Sequence, residues 1–187
     1  MTEQQPYAVL AVHPGFELRN YPSHTVAQVT VHSDFEAAGN TAFRYLFGYI
    51  SGQNRQGGQQ LDELSPDQAI LQASQQIPMT APVLLQPQST SGVFTVAFVL
   101  PGTLTAETAP DPEDPAVSIV AVPESRAAAA SFSGRWTAGN YLEHAAALEE
   151  AVGAAGFTAL GQPRFARFNP PYTPWFLRRN EVIQTVE

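Results

Sequence analysis

The 187-residue sequence contains neither cysteine nor lysine. Without cysteine it can form no disulfide, no thiolate–metal bond and no cysteine nucleophile. Without lysine, all nine basic residues are arginine; seventeen acidic residues outnumber them, and the formal net charge is −8. Binding to nucleic acid or to an anionic membrane depends on clustered positive charge, so we expect no nucleic acid and no membrane partner.

Long hydrophobic runs are also missing. No apolar stretch approaches the roughly 20 residues of a membrane-spanning helix, and residues 1–6 have neither the basic start nor the apolar segment of a secretory signal. We therefore expect a soluble, cytoplasmic protein. With 44% hydrophobic residues, residues 1–187 are expected to form one domain with a sizeable core, an insertion at about 56–76 and a half-repeat boundary at about 101–115.

The first half of the sequence has the patterns of short strands and one helix. Alternating apolar residues predict strands over residues 7–12, 16–21 and 25–31. Ser33 and Glu36 have the spacing of a capping box, which predicts a helix over residues 34–50. The helical period predicts a core face and a second face too aromatic to be purely solvated. The core face comprises Phe35, Ala38, Ala42, Leu46 and Tyr49, and the second comprises Asn40, Phe43, Arg44 and Phe47.

The rest of the chain contains further strands and a second main helix, and the two halves divide near residues 101–115. Further strands are predicted over residues 83–86, 93–100, 116–122, 126–132, 164–168 and 178–186. A second main helix is expected from an Asn140 cap to Gly156. Its predicted apolar stripe is Leu142, Ala145, Leu148 (or Glu149) and Val152, and a short helix is predicted over residues 66–74. Because both halves have the same order of elements, we expect an α+β fold in which two pseudo-symmetric halves pack around one core.

Five segments of the chain are similar, in order and approximate spacing, to signature blocks of the SOUL haem-binding protein family. They are residues 16–21 (FELRNY), 49–54 (YISGQN), 77–83 (IPMTAPV), 168–171 (FNPP) and 178–182 (RRNEV). In the third, Pro78 and Pro82 restrict the backbone on both sides of Met79, so this loop is expected to be held in place for a function. The resemblance implies a distorted antiparallel β-barrel-like sheet flanked by two main helices. It also implies reversible binding of haem or a related tetrapyrrole in a surface groove, for carriage or buffering.

The resemblance places this groove between the aromatic face of the first helix and the late loop. Aromatic rings offer stacking area, and arginines suit haem propionates. The expected cofactor-binding residues are Phe43, Arg44, Phe47, Tyr172, Trp175 and Arg178. The alternative is that the two phenylalanines belong to the core while Tyr172 and Trp175 only pin a proline-rich loop.

An iron ligand is harder to assign. Some family members have a histidine at the position of Asn20, so this chain lacks the family's most evident axial ligand. His24, four residues later, is the candidate metal ligand. The thioether of Met79 is a second candidate, unless that side chain fills a gap in the core.

Catalysis is not expected. The sequence has no nucleophile motif, phosphate-binding loop, metal-ligand spacing or dinucleotide fingerprint. Glu181 is expected in an ion-pair network with Arg178 and Arg179, and with Arg19 as its partner in place of a substrate. The alternatives are another hydrophobic small molecule in the groove, a slow hydrolytic or tetrapyrrole-modifying reaction with Tyr49 or Glu143 as acid–base residues, and a protein partner at the loop over residues 101–115.

Overall fold

The computed structural model describes residues 2–55 and 74–187, and over these residues the chain forms a nine-stranded antiparallel sheet, two smaller sheets and two α-helices. The sheet strands are β2 (Ala8–His13), β3 (Phe16–Tyr21), β4 (His24–His32), β7 (Val83–Pro87), β8 (Val93–Val99), β10 (Val117–Val122), β11 (Ser125–Phe132), β12 (Ala159–Arg167) and β13 (Asn180–Val186). The helices are α1 (Phe35–Ile50) and α2 (Ala138–Ala154). The predicted helix over residues 66–74 and most of the 56–76 insertion lie outside the described residues.

Two small sheets complete the architecture. Strand β1 (Glu3–Gln4) pairs in parallel with β6 (Thr80–Ala81), and β5 (Asn54–Arg55) pairs with β9 (Asp111–Pro112). The predicted rigid loop around Met79 therefore runs in extended conformation beside the start of the chain, and its Ala81–Pro82 peptide bond is cis.

The strand order confirms the predicted pseudo-symmetric α+β fold. The order in the large sheet is β10-β4-β8-β7-β12-β13-β11-β3-β2. The two halves meet at the antiparallel pair β7 and β12. Strands of the two halves also pair at two other places, where β3 pairs with β11 and β10 pairs with β4. Within the described residues the sheet is barrel-like but does not close, since β10 and β2 are its two edges.

Both helices pack on one face of this sheet. On α1 the residues Ala38, Ala42, Leu46 and Tyr49 are buried as predicted, while Phe35 is partly buried. Neither described helix is long and apolar enough to cross a membrane.

The capping box predicted at the start of α1 is wrong. Asp34 occupies the N-cap position without a side-chain hydrogen bond. The Glu36 carboxylate instead accepts a hydrogen bond of 2.9 Å from the backbone N–H of Ala138, the first residue of α2. A tertiary donor has replaced the local one, so Glu36 links the starts of the two helices.

Helix α2 also differs from its prediction at its first turn. Its N-cap is Thr137, whose hydroxyl accepts from the N–H of Asn140, and the helix ends at Ala154. Leu142, predicted in the apolar stripe, is 59% exposed. Tyr141 is buried in its place, because its ring packs against Phe132 and Phe165 at centroid distances of 5.3 and 4.7 Å.

Candidate functional site

A groove of about 420 Å³ opens between α1, the Met79 loop and the loop that follows β12. Its walls are mostly apolar or aromatic, which is typical of small-molecule sites, and its volume lies in their usual range of about 300–1,000 Å³. The lining residues are Thr2, Gly39, Asn40, Phe43, Met79, Thr80, Ala81, Val83, Trp136, Arg167, Phe168, Asn169, Pro170, Pro171 and Tyr172.

Helix α1 supplies the first wall. Gly39, Asn40 and Phe43 line the groove, on the face of the helix that adjoins its buried stripe. The Phe43 ring is 39% exposed and meets Phe98 of β8 edge to face at 5.7 Å. The predicted aromatic face of α1 therefore borders the groove at Phe43.

The Met79 loop supplies the second wall. Met79 is 39% exposed and lines the groove, so the interpretation of this side chain as core filling is wrong. The neighbouring Thr80 is buried, and its hydroxyl donates to the carbonyl of Val99. The paired prolines and the pairing with β1 thus hold a thioether at the edge of the groove.

The loop after β12 supplies the third wall and is fastened by hydrogen bonds. Arg178 Nε donates to the Thr173 carbonyl at 2.8 Å, and Nη2 donates to the Pro171 carbonyl at 2.7 Å. The backbone N–H of Arg179 donates to Asn169 Oδ1 at 2.6 Å. These bonds fix the loop as a rigid wall.

Arg167, which sequence reasoning did not single out, is the charged residue of the groove lining. It ends β12 and is only 8% exposed. Its guanidinium carbon lies 4.9 Å from the centre of the Trp136 ring and 5.9 Å from that of Tyr141. Burial lowers the pKa of Arg167, and the nearby Tyr141 phenol opposes this shift. In the sequence the only signal was its phase, because Arg167 lies two residues after buried Phe165 and shares its face of the strand.

Trp136 was also missed, and two arginines contact its ring. The Arg178 guanidinium carbon is 4.2 Å from the centre of the Trp136 ring, and the Arg167 guanidinium carbon is 4.9 Å from it. The indole N–H donates to Asn180 Oδ1 at 2.8 Å, which fixes the orientation of the ring. A tryptophan in the connection between β11 and α2 has no periodicity that would predict this role.

The six residues predicted to bind a cofactor are only partly brought together. Phe43 and Tyr172 line the groove. Phe47 lies beside it, stacked on Phe43 at 5.3 Å, and Arg178 reaches it only through Trp136. The other two lie outside the lining, where Arg44 covers Tyr45 and Trp175 contacts Arg135 and Phe176.

His24, the predicted metal ligand, lies outside the groove lining. Its Nδ1 is 2.9 Å from the Pro22 carbonyl oxygen and therefore carries the proton, so Nε2 accepts from the Gln5 amide at 3.0 Å. Burial lowers the pKa of His24. Both ring nitrogens are engaged, and the assignment of His24 to iron stays a prediction without support from this geometry.

The two acid–base candidates lie away from the groove lining. Tyr49 is buried, its hydroxyl donates to the Pro110 carbonyl at 2.9 Å, and burial raises its pKa to about 12. Glu143 is exposed on α2. Neither side chain could exchange a proton with a ligand in the groove.

The predicted partnership of Glu181 with Arg19 is confirmed. Arg19 Nη1 and Nη2 donate to the two carboxylate oxygens at 2.8 and 3.1 Å, and Arg179 Nη2 donates at 2.7 Å. Arg178, expected in the same network, binds loop carbonyls instead. This network lies on the sheet face opposite the helices and is structural.

Solved structures with the same fold are distant in sequence. A hydrolase from Listeria innocua superimposes with a TM-score of 0.64 at 13% identity, covering 95% of this chain and 94% of its own. The C-terminal domain of EcmrR gives a TM-score of 0.60 at 11% identity, covering 97% and 98%. At such identities the likeness establishes the fold alone.

No curated protein matches the chain. The family described as "SOUL heme-binding protein" matches residues 2–185, nearly the whole length. This match covers the five segments that resemble the family and both halves of the pseudo-symmetric sheet. The chain therefore belongs to the SOUL heme-binding protein family.

Proposed function

We propose that the protein binds haem or a related tetrapyrrole reversibly in the groove, for carriage or buffering. The observation that carries this proposal is the groove itself, whose aromatic and proline-rich walls include Phe43, Trp136, Phe168 and Tyr172 in a chain of a haem-binding family. A flat macrocycle needs apolar area on its faces and cationic groups for its carboxylates. The residues present fit both needs.

Each wall has a defined role in this proposal. The rings of Phe43 and Tyr172 would contact the apolar faces of the ligand, and Arg167 would neutralise an acidic substituent. Met79 offers a thioether, which can serve as a haem ligand. When bound, the iron would supply ligand exchange and redox chemistry, while these residues exclude water and hold the macrocycle.

A binding role is favoured over catalysis by the chemistry of the lining. Among the described residues, the groove is lined by no carboxylate and no imidazole that could act as a general base. A second candidate ligand, a different apolar small molecule, is favoured by the same lack of an imidazole, because the described lining offers iron only the Met79 thioether and the Tyr172 phenol.

A titration of the purified protein with haemin tests the proposal. We expect a saturable one-to-one change of the Soret band that weakens in Phe43→Ala and is unchanged in Leu142→Ala, which removes an exposed side chain of α2. The band should survive His24→Ala, because His24 does not line the groove. No saturable change at micromolar protein would refute haem binding, and a band lost in His24→Ala would place the ligand elsewhere.

A further inference from the structure

Arg167 carries a buried charge that has no carboxylate partner among the described residues. Its Nε and Nη2 atoms are buried, and within residues 2–55 and 74–187 neither has a hydrogen-bond partner. Among the described residues, the arginines with a carboxylate within 4.0 Å are Arg19, Arg55 and Arg179. Burying an ion without a partner is among the most unfavourable arrangements in a protein, so this one calls for an explanation.

The nearby acid does not provide the missing partner. Glu36 influences the charge of Arg167 from a distance, but its carboxylate is committed to the backbone N–H of Ala138 at 2.9 Å. That hydrogen bond also lowers the pKa of Glu36. The guanidinium therefore faces aromatic rings and the groove.

Helix α1 makes room for this guanidinium. A Cβ atom on Gly39 would lie 2.5 Å from Arg167 Nη1 and 3.4 Å from its Cζ. Glycine inside a helix is unfavourable compared with alanine, and Gly39 lies in the first half of α1. The missing side chain at Gly39 therefore leaves space for the Arg167 guanidinium at the groove.

The charge of the groove is opposite to that of the molecule. The protein carries a formal charge of −8, whereas Arg167 is the charged residue of the described groove lining. A second arginine, Arg178, also contacts Trp136, with its guanidinium carbon 4.2 Å from the ring centre. An anionic group in this groove would meet the positive charge of a buried guanidinium.

We infer that Arg167 binds a carboxylate of the ligand, and that the groove selects flat apolar acids over their neutral esters. This inference rests on the proposed ligand-binding role of the groove, but not on the ligand's being a tetrapyrrole. A carboxylate is favoured over a phosphate because a single planar guanidinium matches one singly charged, two-oxygen group, and the rest of the lining is mostly apolar.

Two acid and ester pairs test the inference by fluorescence titration. They are protoporphyrin IX with its dimethyl ester, and 1-pyrenebutyric acid with its methyl ester. The wild-type protein should bind each acid about ten- to a hundredfold more tightly than its ester, the usual worth of hydrogen bonds to a charged group. Arg167→Met should abolish this preference and leave ester affinity unchanged. Arg126→Met, which removes an exposed arginine of β11, should preserve it.

The outcomes separate this inference from the proposed function. If acids and esters bind alike, if the preference persists in Arg167→Met, or if neither acid shows saturable binding, the inference is overturned even where haemin binds. If haemin fails while 1-pyrenebutyric acid shows an Arg167-dependent preference, the inference stands and the tetrapyrrole proposal falls. Should Arg167→Met fail to fold, Arg167→Lys carries the test, because it keeps the charge and loses the planar fork. An undiminished preference in Arg167→Lys would then overturn the inference.

Discussion

Two arginines of this protein are buried to a similar degree in opposite surroundings. Arg19 on β3 is 2% exposed and Arg167 at the end of β12 is 8% exposed. Arg19 holds Glu181 through two hydrogen bonds, also donates to Glu17, and lies 4.0 Å over the Tyr7 ring. Arg167 has aromatic neighbours and no carboxylate partner among the described residues. One charge has its partner built into the fold, and the other needs a partner from outside.

The pKa shifts of the two side chains express the same contrast. Burial alone would lower the pKa of Arg19, but its hydrogen bonds to Glu181 and the nearby Tyr21 raise it above the ordinary value. For Arg167 burial prevails and the pKa falls. Burial therefore disfavours both cations, and only Arg19 has partners that outweigh this effect.

Removing Arg19 should have the largest effect on stability. Arg19→Met leaves the fully buried Glu181 carboxylate with the partly exposed Arg179 and the Ser131 hydroxyl, and breaking a buried pair in this way costs about 3–5 kcal/mol in the free energy of unfolding. Urea unfolding measures the loss. Arg55→Met is the matched control, since its pair with Glu113 has side chains 73% and 45% exposed and should change stability by less than about 1 kcal/mol. Equal losses in the two variants would contradict the structural role of Arg19.

The second-largest effect is expected from acid, which should reduce the stability that the Arg19–Glu181 pair contributes. Burial raises the pKa of Glu181, but hydrogen bonds from Arg19 and Arg179 outweigh it and hold the pKa below the ordinary 4.5. Because the folded pKa is depressed, this stabilisation is present above about pH 4.5 and is lost as the pH falls through the folded value, at up to about 1.4 kcal/mol per pH unit. Urea unfolding between pH 7 and 3 should show a smaller loss in Glu181→Gln than in the wild type. The same acid slope in both proteins would exclude Glu181 as its source.

Removing Arg167 should act in the opposite direction from removing Arg19. Arg167→Met replaces an unpaired buried charge by an apolar side chain, so the ligand-free protein should gain on the order of 1 kcal/mol in the free energy of unfolding. Thermal or urea unfolding measures this gain, with Arg126→Met as the exposed control. A loss as large as that of Arg19→Met would mean that Arg167 stabilises the fold.

The elements that could be predicted from the sequence are those fixed by local patterns. The bounds of β3 and the buried stripe of α1 follow from periodicity, and both are as predicted. The start of α2 could not be predicted in this way, because Leu142 and Tyr141 are adjacent and only packing against β11 and β12 decides which one is buried. The partner of Glu36 could not be predicted either, because the capping-box spacing indicates Ser33 whereas the fold supplies the backbone N–H of Ala138.

Residues of the groove could be predicted only where a pattern within one segment of the sequence identifies them. Phe43 was identified from the helical face and Tyr172 from the family resemblance, and both line the groove. Arg167 and Trp136 were missed because their roles depend on a contact between β12 and the connection preceding α2, some thirty residues apart in the sequence. The partners of a buried charge are a tertiary property, and an arginine in the sequence does not reveal whether it has one.

The smallest effect on stability is expected from a substitution at Gly39, the residue of α1 that lies against the Arg167 guanidinium. Alanine in a helix interior gains about 0.5–1 kcal/mol over glycine, but a Cβ here would meet Arg167 Nη1 at 2.5 Å. Gly39→Ala should therefore fail to stabilise the wild-type protein and should stabilise Arg167→Met, a coupling of about 0.5 kcal/mol or more in a double-mutant cycle. Gly153→Ala on α2, where nothing lies within 4 Å of the added atom, should give the same gain in both backgrounds. If Gly39→Ala also behaved alike in both, the space at this helix position would not be reserved for the guanidinium.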